Sequence, residues 1–303
     1  MHDIIGDIHG HSTELLLLLG KLGYQYQNGA YRHPERQAVF LGDYIDRGPD
    51  SLQCLEIIRA MVENGSAVAL MGNHEYNAIC FHQEDENGGH LRPHSIKNFL
   101  QHEATMRAFK GNESLYEEYI EWFRSLPMYY ETKTFRAVHA CWHPESLSEI
   151  KKQLSDGKLD SELAMNSSDP ESSLYRAVEN VLKGVEISLP EGVNFQDKDG
   201  NIRTEARIKW WADGNSNSYK DLAIGYPSDG NHGGIDIDLF KQIPFYPTEE
   251  KPVFFGHYWL RGKPYLTSSN ASCLDFSVAK GGVLAAYRFD GERELSAKNL
   301  VWV

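Results

Sequence analysis

Short apolar runs that end in glycine and lead into polar residues recur near the start of the chain, at HDIIG (2–6), AVFLG (38–42) and AVALMG (67–72). Each run predicts a buried strand that ends in a tight turn. Helical periodicity follows each turn, as in the segment from Ser12 to Leu22. Three successive units of strand, loop and helix predict a layered α/β fold, in which side chains at the carboxyl ends of the strands converge on one site.

The rest of the chain predicts two insertions and a return to strands. We expect a helical excursion over about 76–132 and a cap-like insertion over about 144–250, with helices at 145–154 and 171–183. The remainder of the second insertion is rich in Gly, Asn, Asp and Ser, which favours ordered loops or a cap over a second core. Apolar runs predict further strands at 134–140, 252–256, 271–276, 283–289 and 299–303.

Composition excludes several classes of protein. The chain has 303 residues, with 30 Lys and Arg against 43 Asp and Glu, and its formal net charge is −13. This negative charge repels phosphate polymers, so we expect no broad nucleic-acid-binding face. No apolar run approaches the roughly 20 residues of a membrane-spanning helix, and the first residues show no pattern of a secretory signal, so we expect none. We therefore expect no membrane association and a cytoplasmic location. The absence of CxxC pairs favours buried thiols for Cys54, Cys80, Cys141 and Cys273.

Polar residues with metal-binding or proton-transferring side chains follow five of the predicted strands. They are Asp7 and His9 in GDIHG, Asp43, Asp46 and Arg47 in GDYIDRG, Asn73 and His74 in GNHE, His139 in VHA, and His257 in GHY. Taken singly, each is more often a turn residue or a satisfied core histidine. Together they predict one site, because every segment offers a ligand directly after an apolar strand. Oxygen and imidazole ligands without thiolate suit manganese, iron or zinc, and two such ions are the usual clamp for in-line displacement at phosphorus.

These motifs, in this order, closely resemble those of the calcineurin-like metallophosphoesterases, and specifically the phosphoprotein phosphatase branch. That branch includes serine/threonine protein phosphatases, bacterial diadenosine tetraphosphatases and the phosphatase domain of bacterial polynucleotide kinase-phosphatases. The resemblance spans positions 6 to 258. It implies a layered β-sandwich flanked by helices, and a single domain over 1–303 that carries both insertions.

The resemblance also implies a set of metal ligands. Asp7, His9 and Asp43 would surround one ion, Asp43 would bridge, and Asn73, His139 and His257 would complete the second. Manganese is the expected metal of both positions, with iron, zinc, cobalt or nickel as alternatives. A hydroxide between the ions would attack phosphorus directly, without a phosphoenzyme.

The resemblance assigns further roles around the metals. His74 resembles the general acid of the family, with Asp46 fixing its tautomer, and Arg47 and Asn73 would contact the phosphate. Arg207 is the expected second arginine of the substrate, with Arg203 as the alternative, and Tyr258 would line the mouth of the site. Asp213 would be an active-site neighbour. We expect the histidines without a motif to lie at the surface or in the cap: His11, His82, His90, His94 and His102.

Two departures from the family leave the substrate open. The chain has Cys141 after His139-Ala140, where relatives commonly have glycine, and Leu274-Asp275-Phe276-Ser277 where nucleotide-hydrolysing relatives commonly have LDTG. The first hypothesis is a dinuclear phosphatase for phosphate monoesters, with phosphoserine or phosphothreonine in proteins as the substrate. The alternative is a hydrolase of dinucleoside polyphosphates or nucleotide phosphates. A catalytically silent scaffold ranks last, because none of the six ligands is missing.

Overall fold

A computed structural model describes residues 1–154, 157–196, 200, 202–226 and 233–303. The strands are β1 (His2–Ile5), β2 (Gln25–Gln27), β3 (Ala30–Arg32), β4 (Gln37–Phe40), β5 (Ala67–Ala69), β6 (Tyr129–Glu131), β7 (Arg136–Val138), β8 (Glu186–Ser188), β9 (Phe195–Gln196), β10 (Ile202–Arg203), β11 (Glu205–Arg207), β12 (Val253–Phe255), β13 (Ala271–Cys273), β14 (Asp275–Phe276), β15 (Val283–Phe289) and β16 (Leu300–Trp302). The helices are α1 (Ser12–Leu22), α2 (Ser51–Glu63), α3 (Asn73–His82), α4 (Ile96–Ala108), α5 (Glu113–Arg124), α6 (Pro144–Gln153), α7 (Ser161–Ser168), α8 (Ser173–Lys183), α9 (Tyr219–Leu222) and α10 (Ile237–Lys241).

Two sheets carry the strands predicted from the apolar runs. The first has the order β14-β15-β1-β4-β5, with β16 paired to β15, and the second has the order β13-β12-β7-β6. In the first sheet β1, β4 and β5 are parallel, whereas β15 pairs with β1 in the antiparallel sense. In the second sheet β12 is parallel to both β13 and β7. The strands expected over 252–256, 271–276, 283–289 and 299–303 are confirmed, with boundaries shifted by a few residues.

Side chains along each strand alternate between two apolar clusters, one between the sheets and one between a sheet and the helices. Successive side chains of a strand point to opposite faces, so neighbouring residues enter different cores. Ile4 packs in the cluster between the sheets, with Phe254 and Phe289, whereas Ile5 and Phe255 pack in the cluster that includes helix residues. The α/β fold with a β-sandwich flanked by helices, as expected from the sequence, is confirmed.

The two predicted insertions contain the elements that were expected of them and several that were not. Helix α3 ends within the first insertion, and α4 and α5 lie within it. Helices α6 and α8 match the helices predicted at 145–154 and 171–183. The division of the chain into one domain with two insertions stays a prediction.

The 144–250 segment was expected to form ordered loops or a cap rather than a second core, and the exclusion of a core is wrong. A separate apolar cluster lies there, and its buried residues include Ile187, Ala206, Ile208, Leu222 and Ile243. Its strands β8 to β11 are two or three residues long, and each contains only one apolar residue. No sequence window therefore contains enough periodicity to reveal the cluster.

The structure agrees with the expected state of the cysteines. Cys54, Cys80, Cys141 and Cys273 are free and buried. The longest helices, α2 and α4, have 13 residues each. Within the described residues, no helix combines the length and the apolar character that crossing a bilayer requires.

Candidate functional site

The loops after five strands meet at one edge of the two sheets. β1, β4 and β5 come from the first sheet, and β7 and β12 come from the second. Parallel pairing within each sheet brings the carboxyl ends of these strands to the same edge. The loops that follow carry Asp7 with His9, Asp43, Asn73, His139 and His257, all of them buried. The structure therefore brings together all six of the predicted metal ligands.

Left-handed backbone conformations concentrate in these loops. Residues other than glycine with positive φ include His9 (46°), Asp43 (55°), Asp46 (66°), Arg47 (68°), His257 (73°) and Trp259 (53°). Such conformations cost of order 1–3 kcal/mol each for residues with a Cβ, and they persist where the surroundings fix them. Apart from Trp259, these are residues that the sequence singled out, and the sharp turns direct their side chains into the site.

Ligand atoms form two overlapping groups around Asp43. The atoms of His9, Asp43 and His74 lie within 4.8 Å of one another, and so do those of Asp43, His139 and His257. One Asp43 oxygen, Oδ2, is 3.5 Å from His9 Nε2, and the other, Oδ1, is 3.4 Å from His139 Nε2. A carboxylate with one oxygen toward each group is the arrangement that a bridging ligand requires.

Asp7 and Asn73 join this cluster through His257. Asp7 Oδ2 accepts a hydrogen bond of 3.0 Å from the backbone N–H of His257. The amide oxygen of Asn73 lies 2.8 Å from His257 Nδ1 and 3.1 Å from His139 Nε2. Gly256 leaves the space for Asp7, because a Cβ there would lie 1.9 Å from Asp7 Oδ1.

The donor set fits divalent cations. Asp7 Oδ1 and His9 Nε2 are buried and have no hydrogen-bond partner among the described residues. Buried polar atoms are normally satisfied, so these two atoms are suited to a ligand. Burial lowers the pKa of His9 to about 3, which keeps its imidazole neutral as a metal ligand must be. Burial and the carboxylates of Asp275 and Asp43 raise the pKa of Asp7, and a cation at this place would offset that cost.

His74 and Asp46 form a close pair beside the cluster. His74 Nδ1 lies 2.5 Å from Asp46 Oδ2, and the backbone N–H of His74 donates to Asp43 Oδ1 at 3.0 Å. Burial opposes ionisation of Asp46, but hydrogen bonds from His102 and His74 hold its pKa well below the usual range. An ionised Asp46 must accept the Nδ1 proton, which leaves His74 Nε2 facing the cluster, 4.0 Å from Asp43 Oδ2.

His102 was expected at the surface or in the cap, and this expectation is wrong. Its side chain is buried on α4, and Nδ1 donates to Asp46 Oδ1 at 2.8 Å while Nε2 contacts the hydroxyl of Tyr116. Thr105, one turn further along α4, donates to the same Asp46 oxygen at 2.6 Å and accepts from the Asp46 backbone N–H at 2.9 Å. The i, i+3 spacing of His102 and Thr105 places both on one face of α4, but nothing in the sequence directs that face toward Asp46.

The other histidines without motifs match the expectation. His82 and His94 are exposed, and His11 and His90 are partly exposed.

Glu75 is a second residue whose role sequence reasoning missed, although it belongs to the GNHE motif. Its carboxylate is fully buried and accepts hydrogen bonds from three backbone N–H groups, those of Gly72 (2.9 Å), Asp43 (2.9 Å) and Tyr44 (2.8 Å). It therefore ties α3 to the strained Asp43 turn and fixes the orientation of the shared carboxylate.

Arg47 lies beside His74 and against an aromatic ring. One of its guanidinium nitrogens is 3.5 Å from His74 Nε2, and its Cζ lies 4.4 Å from the ring centroid of Trp259. Stacking on indole orients the guanidinium plane, and this geometry suits the recognition of phosphate oxygens. Sequence reasoning missed Trp259, which directly follows the GHY motif.

The other predicted substrate contacts have partners of their own. Tyr258 is buried, and its hydroxyl accepts from Trp210 Nε1 at 3.1 Å. Arg207 donates to the backbone carbonyl of Lys183 at 2.8 Å, and Glu186 pairs with both Arg207 and Arg203.

The hydrogen bonds of the exposed Asp213 are also local, to Asn215. No contact among the described residues brings Arg203, Arg207 or Asp213 to the cluster, and the roles of these residues and of Tyr258 in substrate binding stay predictions.

Curated proteins similar to this chain include two tetraphosphatases. The asymmetrical bis(5'-nucleosyl)-tetraphosphatase PrpE of Oceanobacillus iheyensis is 34% identical over 139 residues, which cover 46% of this chain and 54% of that protein. The protein of the same name from Halalkalibacterium halodurans is 48% identical over 73 residues, which cover 24% of this chain and 30% of that protein. The chain thus spans about half, or less, of the length of these relatives.

Among solved structures, a protein serine/threonine phosphatase from Saccharomyces cerevisiae has a TM-score of 0.48 at 13% identity, over 100% of this chain and 78% of that chain. A cold-active protein tyrosine phosphatase of a psychrophilic Shewanella has a TM-score of 0.46 at 17% identity, over 97% and 80%. The profile of the calcineurin-like phosphoesterases matches residues 3–258, a span that contains every predicted metal ligand. This chain belongs to the calcineurin-like phosphoesterase family.

Proposed function

We propose that this protein is a metal-dependent phosphoric ester hydrolase that cleaves the phosphoanhydride chain of dinucleoside polyphosphates such as diadenosine tetraphosphate. The observation that carries the proposal is the His74–Asp46 pair, which opens onto a cluster of six buried ligands with Asp43 between its halves. Similarity to proteins named tetraphosphatases supports the choice of substrate.

In this proposal, Asp7, His9 and Asp43 would hold one divalent ion, and Asp43, Asn73, His139 and His257 would hold the other. When bound, such ions would lower the pKa of a water molecule and neutralise charge on phosphoryl oxygens. Manganese as the metal and a cytoplasmic location stay predictions.

The protein's own residues then handle the phosphoryl group and the leaving oxygen. Arg47, stacked on Trp259, presents its N–H donors to the phosphoryl oxygens. His74 holds a proton at Nε2 and gives it to the leaving oxygen, while Asp46 at Nδ1 keeps the ring in one orientation. His102 and Thr105 hold Asp46 in turn.

The sequence favours a phosphate monoester, whereas the names of the curated relatives favour a dinucleotide. The two substrates differ in their leaving group. A monoester releases an alcohol, whereas a polyphosphate releases a nucleotide that is itself charged. Hydrolysis of phosphate monoesters is therefore one alternative to the proposal, and a catalytically silent scaffold is another.

A phosphorus NMR time course decides among these outcomes. Purified protein with manganese is given diadenosine tetraphosphate and a phosphoserine peptide in one tube, and His74→Asn serves as the control variant. Cleavage of the tetraphosphate first supports the proposal, and the products, ADP alone or ATP with AMP, identify the bond. Orthophosphate from the peptide alone would make it a monoesterase. No reaction with manganese, iron, zinc, cobalt or nickel would overturn the assignment as a hydrolase.

A further inference from the structure

The indole of Trp210 contacts two of the loops that carry predicted metal ligands. Trp210 follows β11, outside both sheets, and is fully buried. Its Nε1–H donates to the backbone carbonyl oxygen of Ala140 at 3.0 Å and to the hydroxyl oxygen of Tyr258 at 3.1 Å. Ala140 directly follows the ligand His139 in the chain. Tyr258 directly follows the ligand His257. One N–H group therefore joins the loop after β7 to the loop after β12.

The position of this indole is fixed by its surroundings. Its ring centroid lies 4.7 Å from that of Phe255, at the end of β12, and 5.9 Å from that of Tyr246. The backbone carbonyl of Trp210 also accepts from the Tyr246 N–H at 3.0 Å. A side chain whose rotamer is locked by packing holds its hydrogen-bond partners in place.

The end of α8 packs on the same two loops. The carbonyl oxygen of Val181 accepts from the backbone N–H groups of Ala140 at 3.0 Å and Cys141 at 3.3 Å. Gly184, directly after α8, approaches the hydroxyl of Tyr258 so closely that a Cβ at this position would lie 2.3 Å from it. The N–H and the carbonyl of Ala140 are therefore both bonded to residues outside the two sheets, the carbonyl to the indole.

The first ligand set is supported differently. Asp7, His9 and Asp43 follow β1 and β4, and the Asp43 turn is held by the carboxylate of Glu75. Within the described part of the chain, the hydrogen bonds of the Trp210 side chain reach Ala140 and Tyr258 and none of these three ligands. The contacts of the indole N–H thus concern the second ligand set.

We propose that Trp210 is a positioning residue for the metal ion of the second ligand set. That set consists of Asp43, Asn73, His139 and His257, and this inference rests on the ligands assigned in the proposed function. Two imidazoles bind an ion more tightly when their separation is fixed in advance, because ordering them then costs no binding free energy. Trp210 fixes that separation by joining the residue after His139 to the residue after His257. It raises the metal affinity although it is not itself a ligand.

Calorimetric titration of the metal-free protein with manganese tests this role in two backgrounds that each keep one ligand set. His9→Asn removes a ligand of the first set, and His139→Asn removes a ligand of the second. In the His9→Asn protein, we expect Trp210→Phe to raise the Kd for manganese about 10-fold, as loss of a group that supports metal ligands does. In the His139→Asn protein, we expect the same substitution to change the Kd less than about twofold. Equal weakening in both backgrounds, or an unchanged Kd in the first, would overturn the inference.

Trp211→Phe is the matched control. Trp211 is also buried, and its ring centroid lies 4.9 Å from that of Phe255 and 4.7 Å from that of Tyr258. The substitution therefore removes the same volume from the same apolar cluster but leaves the hydrogen bonds of Trp210 intact. In the His9→Asn protein, we expect it to leave the Kd within about twofold of its value without the substitution. A rise as large as that of Trp210→Phe would mean that packing alone sets the affinity, and the role of the N–H would be refuted.

Tyr258→Phe decides the question if Trp210→Phe does not fold. This variant leaves the indole in place and removes one of its two acceptors. In the His9→Asn protein, we expect the Kd for manganese to rise about threefold, as loss of one neutral hydrogen bond predicts. An unchanged Kd in this variant contradicts the inference.

The titration needs no substrate, so it separates this inference from the proposed function. A protein that binds manganese, responds to Trp210→Phe as expected and cleaves no tetraphosphate would refute the hydrolase and support the positioning role. A protein that cleaves the tetraphosphate but responds equally in both backgrounds would support the hydrolase and refute the positioning role.

Discussion

The contact between Thr105 and Asp46 gives the sharpest prediction about the machinery around the proposed acid. Thr105 is fully buried, and its hydroxyl both donates to the Asp46 carboxylate and accepts from the Asp46 backbone N–H. Thr105→Val keeps the shape of the side chain and removes both hydrogen bonds. It therefore tests whether α4 holds Asp46 in its left-handed conformation.

The expected cost follows from these two bonds. A hydrogen bond to a charged group contributes about 1.5–3 kcal/mol, and a buried N–H left without a partner costs about 1–3 kcal/mol. Burying a methyl group instead of the hydroxyl returns about 0.8 kcal/mol. We expect Thr105→Val to lower the free energy of unfolding by about 2–5 kcal/mol. Because Asp46 is then less firmly placed, turnover of substrates with poor leaving groups falls more than turnover of aryl phosphates.

Urea unfolding monitored by tryptophan fluorescence, at one fixed metal concentration, measures the first effect, since bound metal shifts the transition. Steady-state kinetics on an alkyl and an aryl phosphate measures the second. Thr105→Ser is the matched control, because it keeps the hydroxyl and loses only a methyl group. A Thr105→Val protein within about 0.5 kcal/mol of the wild type, or one with equal losses of turnover on both substrates, would refute the reasoning.

Three further predictions concern single contacts. Asp43→Asn should lose bound metal and nearly all turnover, and metal analysis after dialysis with near-normal content would contradict the shared-ligand role. Gly256→Ala places a Cβ 1.9 Å from Asp7 Oδ1, so calorimetry should show weaker metal binding, and unchanged affinity would count against Asp7 as a ligand. The neutral imidazole of His143 caps α6 by accepting from Ser146 N–H, and burial lowers the pKa of His143 from 6.5. The cap is therefore present above pH 6.5 and lost as the pH falls through the folded pKa. Its loss should lower the free energy of unfolding by about 1 kcal/mol between pH 7.5 and pH 5. Unfolding curves at these two pH values should show that His143→Asn removes this contribution.

The sequence predicted those parts of the site that depend on residues adjacent to one another in the chain. HDIIG, AVFLG and AVALMG predict strands, and in each case the strand ends before the glycine, at Ile5, Phe40 and Ala69. The ligands directly follow these strands, because the chain must turn where a parallel strand ends at the edge of the sheet. The turn that ends each strand therefore also directs the ligand side chain into the site.

The parts that the sequence did not predict depend on contacts between distant residues. His102 and Thr105 reach Asp46 across 56 and 59 positions of the chain. No local pattern encodes such contacts, because they arise only when α4 packs against α2.

The two origins of the site imply that metal binding and the placement of the proposed acid are separable in this protein. Both sheets supply the ligands through short turns, so every substrate meets the same cluster. The helical excursion instead holds Asp46, through His102 and Thr105 of α4. A change in how α4 packs must therefore alter the placement of the proposed acid more than it alters metal content. A change at Gly256 or Asp43 must instead lower the metal content directly.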